Sequence, residues 1–94
     1  MVTAIVLIDV EHGHVNEVAE QIADLPGVTE VYSVGGRYDL VAVIRVSTND
    51  EMAALVTSNM MQIDDISNTE TLIAFRAYTE HDLEDMFSVG DNTA

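Results

Sequence analysis

Ninety-four residues, 48% of them hydrophobic, make one small domain with a positive mean hydropathy. Seventeen acidic residues against three arginines and no lysine give a net charge of −14, which argues against contact with nucleic-acid phosphates or an anionic membrane. There is no cysteine, so a disulfide framework and a thiolate metal site are excluded, and no stretch reaches the ~18 apolar residues of a membrane span.

A chain of this size hides only about 60–65% of its unfolded surface. The apolar surplus therefore predicts oligomerisation, which buries a second apolar surface. The N-terminus lacks the basic region of a signal peptide, and the cytoplasm is the expected location.

In chain order, Thr3–Val10 is β-branched and continuously apolar, and it reads as a central strand. Val15, Val18, Ala19, Ile22 and Leu25 form an apolar helical stripe, stopped by Pro26-Gly27. Val28–Val34 reads as a second strand, Gly35-Gly36 as a corner, and Asp39–Val46 as a third strand. Thr48-Asn49-Asp50-Glu51 has the form of a capping box. Behind it Met52, Leu55, Val56, Met60 and Ile63 mark a second amphipathic helix. Asn68–Tyr78 reads as the fourth strand. Thr79 to Ala94 is an acidic tail, with Leu83, Met86 and Phe87 at helical spacing.

The order β-α-β-β-α-β, with short connections and right-handed crossovers, predicts an α+β ferredoxin-like domain. Its four-stranded antiparallel sheet has the first and third strands in the centre and both helices on one face. Both faces of the third and fourth strands are largely apolar, and helices cover only one. A second copy is the simplest cover for the other, giving a dimeric α+β barrel or sandwich. Strand parity puts Asp9, Arg45 and Arg76 on that second face. Asp9 is expected near one of the arginines, paired where two sheets meet.

The corner "GGRYDL" carries more chemistry than a turn needs. Glycines let backbone N–H groups approach an anion. Asp39 can accept from an ammonium, Tyr38 can supply a wall and a hydroxyl, and the hydroxyls of Thr69 and Thr71 can complete a polar set. Alternatively, Gly35-Gly36 only makes the turn and Asp39 caps the corner backbone.

The opening strand "AIVLIDV", the helix ending "LPGVTEVYSV", the corner "GGRYDL" and the last strand "NTETLIAF" together resemble the ligand-binding, oligomerising domain of the Lrp/AsnC regulators. The resemblance covers roughly residues 2–78. It implies an amino-acid effector held between subunits near the corner, with Gly36, Tyr38, Asp39, Thr69 and Thr71 as ligand-binding residues. It also implies dimers assembling into an octamer or similar ring. Regulators of this family carry a helix-turn-helix domain before the first strand. Here the chain starts at that strand, so it is expected to act as a stand-alone effector domain, 1–78, followed by the partly helical tail, 79–94. Modulation of full-length relatives by mixed assembly is a further expectation.

A second constellation, "DVEHGH", holds Asp9, Glu11, His12 and His14. Asp9 and Glu11 share a strand face while His12 begins a loop, so the set reads as a polar strand end with His14 near a helix cap. No metal and no other cofactor is expected. No P-loop, dinucleotide fingerprint or Ser-His-Asp spacing occurs, so no catalytic residue and no enzyme activity is expected. Two alternatives to the sensing module remain: a small dimeric α+β barrel enzyme, such as a monooxygenase or isomerase, and a purely structural assembly domain.

The charge yields the first test. The purified 94-residue chain should leave duplex DNA unshifted in a gel-shift assay at physiological salt. A retarded band with the chain alone would contradict this.

Overall fold

The computed structural model describes residues 1–78; the tail expected over 79–94 lies outside the described residues. Six elements set the architecture: β1 (Val2–Val10), α1 (Val15–Ala23), β2 (Val28–Ser33), β3 (Leu40–Val46), α2 (Asn49–Ala54) and β4 (Ile66–Ala74). The four strands form one antiparallel sheet in the order β2-β3-β1-β4. This is the expected ferredoxin-like arrangement, with β1 and β3 central.

Strand alternation divides the sheet into two unlike faces. Ala4, Val6, Ile8 and Val10 of β1, with Leu40, Ala42 and Ile44 of β3, are buried. They pack with Val18 and Ile22 of α1 and Met52 of α2. Thr3, Ile5, Leu7 and Asp9 of β1 point the other way, and no helix among the described residues covers them. Across from Ile5 stand Val43 on one side and Leu72 on the other. Ile5, Leu72 and Tyr32 are all exposed large side chains on this open face.

Each helix has its own start and stop. Thr48 caps α2, its hydroxyl accepting from the Glu51 N–H at 3.1 Å, and the Glu51 carboxylate accepts from the Ser47 N–H at 3.1 Å. The helical path does not stop at Ala54. It widens into a π turn over Leu55–Asn59, closed by the Met60 N–H on the Leu55 carbonyl, and ends in a 3₁₀ turn over Met60–Gln62. The reason is packing. An i→i+5 turn stacks residues five apart, and Leu55 and Met60, five apart, are both buried. In a regular α-helix of 3.6 residues per turn they would point apart.

Two expectations need correction. β4 runs from Ile66 to Ala74, not from Asn68 to Tyr78. It can extend only as far as its partner: Thr3 of β1 is opposite Ala74, and β1 begins at Val2, one residue before Thr3. Asp9 does not lie near either arginine. Arg45 is opposite Thr3, six residues along β1 from Asp9, or roughly 20 Å at 3.3–3.4 Å per residue. Arg76 follows the end of β4 at that same far edge. Arg45 instead donates from Nη1 to Thr29 Oγ1 at 3.3 Å. Antiparallel register, invisible in parity alone, separates the charges.

Gly27, just past α1, has φ +98°. A Cβ there would lie 2.7 Å from Val46 Cγ1 and 3.3 Å from Leu55 Cδ2. Left-handed backbone costs an L-residue about 1–2 kcal/mol, and overpacking adds about 1–3 kcal/mol. Gly13 shares the left-handed conformation (φ +85°) but has open space around it. In urea denaturation Gly27→Ala should therefore lose more stability than Gly13→Ala. Equal losses would mean that packing at Gly27 imposes nothing.

Candidate functional site

The corner joins β2 to β3 at the end of the sheet where β1 finishes. Gly36 has φ +130° and no atom within 4 Å of where a Cβ would sit, so the backbone path requires glycine there while its surroundings are open. Gly35, Gly36 and Arg37 are exposed. Among the described residues, no hydrogen bond occupies their amides.

Asp39 is held from three sides. Its N–H donates to the Ile8 carbonyl at 2.9 Å, and its carbonyl accepts from the Val34 N–H at 3.1 Å. Its Oδ2 accepts from the Val10 N–H at 2.9 Å. The last contact has a local cause. The β1–β4 register shifts between Asp9 and Val10, and the Asp39 carboxylate takes up the Val10 amide at this bulge. Asp39 thus performs the backbone capping that its position in a turn allows.

Tyr38 reaches across β1. Its hydroxyl donates to Glu70 Oε2 of β4 at 2.6 Å. Glu70 is opposite Leu7, which places this contact on the open face. The hydrogen bond to Glu70 is the main cause that raises the Tyr38 hydroxyl above the ordinary tyrosine pKa of 10.0. The Arg37 guanidinium lies 5.8 Å from the Tyr38 ring centroid. Further along the open face the Tyr32 hydroxyl donates to Glu30, and that bond raises it likewise.

Thr69 and Thr71 are half-buried and stand opposite Ile8 and Val6, two core residues. They belong to the helix-side face of β4. Thr71 lines a groove of 300 Å³ with Met52, Val56 and Ile73. The five sequence-derived site residues therefore divide. Gly36, Tyr38 and Asp39 cluster at the corner, with Tyr38 over the open face, while Thr69 and Thr71 face the helix side. Glu70, between the threonines, is the residue that sequence reasoning missed. Alternation along β4 was the signal that could have found it, since it puts Glu70 on the face away from them. A hollow of 440 Å³ beside Gly27, Arg45 and Leu55 lies at the other end of the sheet.

The family model of the Lrp/AsnC ligand binding domain matches residues 3–83. An uncharacterized HTH-type transcriptional regulator of Pyrococcus horikoshii is 41% identical over 59 residues, covering 63% of this chain and 39% of the relative. A crystal structure of a Thermus thermophilus protein superposes with a TM-score of 0.80 at 46% identity, covering 85% of this chain and 100% of the other. A transcriptional regulator from Neisseria meningitidis, solved as a complex with L-Met, has the same fold at a TM-score of 0.75 and 10% identity; 84% of this chain and 53% of that one are covered. The chain spans 39% to 52% of the length of the curated relatives it matches.

The Asp39 clasp sets the test here. Asp39→Ala leaves the part-buried Val10 N–H without its acceptor, which should cost about 1–3 kcal/mol. Asp39→Asn keeps an oxygen in place and should cost less. Chemical denaturation of both variants measures the difference; identical stability of parent and Asp39→Ala would remove the clasp from the energetics.

Proposed function

The chain belongs to the Lrp/AsnC ligand-binding-domain family of transcriptional regulators, not to an enzyme family, and from that premise we propose that it binds an amino acid or similar small metabolite at a seam between subunits. The observation that carries this reading is the open, largely apolar sheet face with Tyr38 at its rim. Ile5, Val43 and Leu72 form one row of it, and a second copy of the chain is its simplest cover.

The corner supplies matching chemistry for a zwitterion. The amides of Gly35 to Arg37 suit a carboxylate. Asp39 offers an ammonium the carboxylate oxygen that does not hold Val10. Thr69 and Thr71 face away from Tyr38, so on this reading they meet the ligand through a neighbouring copy. The Neisseria relative was solved with L-Met, which makes methionine the first ligand to try. The assembly is a dimer that builds an octamer or similar ring, and mixed assembly with full-length relatives would carry the metabolite signal to DNA. The module itself contacts neither nucleic acid nor membrane and works in the cytoplasm. Among the described residues no helix is long and apolar enough to cross a membrane.

A second reading, assembly without a small ligand, draws on the same corner. The Asp39 carboxylate and the Tyr38 hydroxyl already have partners within the chain.

A thermal-shift screen against the twenty amino acids, with mass by light scattering, separates the readings. A ligand selective for the native state raises stability by about 2.7 kcal/mol at a hundredfold excess over Kd. The expected result is a mass of at least two 10.3 kDa chains and a selective rise in melting temperature. An intact oligomer that answers to no amino acid supports the second reading. A monodisperse monomer without a ligand response overturns both.

A further inference from the structure

The loop after β1, the first turn of α1 and the connection before β4 converge on one point. His14 Nδ1 lies 3.4 Å from Glu17 Oε2 and 3.5 Å from Asp65 Oδ2. One potential ligand atom from each of the three residues lies within 4.8 Å of the other two. We propose that His14, Glu17 and Asp65 form a binding site for a first-row divalent cation, with Zn²⁺ the best geometric fit.

Distance is the first support. Both carboxylate oxygens converge on the same ring nitrogen, at separations longer than the usual 2.7–3.2 Å of an N–H···O hydrogen bond. One N–H serves one acceptor well, not two in different directions. Ligands of a tetrahedral zinc at about 2.0–2.1 Å, in contrast, stand about 3.3–3.4 Å apart. The two separations match the edges of that tetrahedron. One imidazole nitrogen with two carboxylate oxygens is also a donor set suited to zinc and its neighbours, and less to magnesium or calcium, which prefer oxygen alone.

Preorganisation is the second support. The Glu11 N–H donates to the Asp65 carbonyl at 2.8 Å, and the His14 N–H to the Glu11 carbonyl at 3.1 Å. The backbone thus already holds the three donors' segments together. Glu17 lies three residues after His14, one turn along α1, on the same side. Charge favours occupancy as well: two carboxylates balance one divalent ion in a chain of net charge −14. His14, Glu17 and Asp65 side chains are 44%, 68% and 37% exposed, so solvent supplies the fourth ligand.

These are not the residues that sequence spacing had grouped. Of Asp9, Glu11, His12 and His14, only His14 takes part; its partners come from α1 and from the far side of the α2–β4 connection. His12, two residues away, is a built-in control.

The experiment is calorimetric titration of ZnCl₂ into the chelator-stripped chain, with melting temperature in parallel. The expected result is saturation at one equivalent and a rise in melting temperature. His14→Ala and Asp65→Asn should each weaken binding by about tenfold or more, while His12→Ala leaves it unchanged. His14 makes no side-chain capping bond to α1, so His14→Ala should fold, as circular dichroism will show. If it does not, Asp65→Asn and Glu17→Gln decide. Binding that never saturates at one equivalent, or that survives these variants unchanged, is diffuse attraction to an acidic surface and overturns the proposal. An equal loss in His12→Ala overturns it too, by assigning the ion to a different histidine.

Discussion

The alternation of β1 governs this domain. Ala4, Val6, Ile8 and Val10 fill one face and are buried; Thr3, Ile5, Leu7 and Asp9 have nowhere to go but the other. Fully burying an aliphatic side chain stabilises by roughly 1.5–3 kcal/mol, so a one-residue slip, which would exchange the two sets, is strongly disfavoured. β3 and β4 inherit their faces from β1 through register, and β2 inherits its own from β3. Everything functional then depends on which side of this sheet a residue falls.

Asp39 secures that register where β3 enters the sheet. Its backbone bonds to Ile8 and its carboxylate to Val10, so it spans the last residues of β1 and closes the bulge there. The proposed role in holding ligand and the role in holding the corner are compatible for one carboxylate, because it has two oxygens and, among the described residues, only Oδ2 is hydrogen-bonded. Tyr38 is similarly double in character: its ring lies at the rim of the open face, and its hydroxyl ties the corner to β4 through Glu70.

The chemistry-bearing residues gather at one end of the sheet. The glycine corner, the Asp39 clasp, and the His14, Glu17 and Asp65 cluster all surround the final residues of β1. Arg45 and Arg76 lie at the opposite end. With three arginines in the chain, this leaves Arg37 as the arginine at the corner end of the sheet.

Much of this was legible in the order of residues. Helical and strand periods, the Pro26-Gly27 stop and the Thr48 cap are local signals, and the strand order follows from short connections and right-handed crossovers. The surplus apolar face was legible too, since alternation needs no partner to be read. What lay beyond the sequence was every relation set by a partner strand or segment. The end of β4 depends on where β1 begins. The distance from Asp9 to Arg45 depends on antiparallel register, and the π turn on two buried residues needing one direction. Thr69 and Thr71 could be named as neighbours of the corner, but only the pairing with Ile8 and Val6 shows that they face the helices while Glu70 meets Tyr38. The meeting of His14 and Glu17 with Asp65, about fifty residues away in the chain, has no local signature. Sequence by itself determined which elements form and that the sheet is apolar on both faces, because period and composition are properties of the chain. Tertiary structure decided which polar groups meet, because register and chain reversal bring together residues that no local pattern relates.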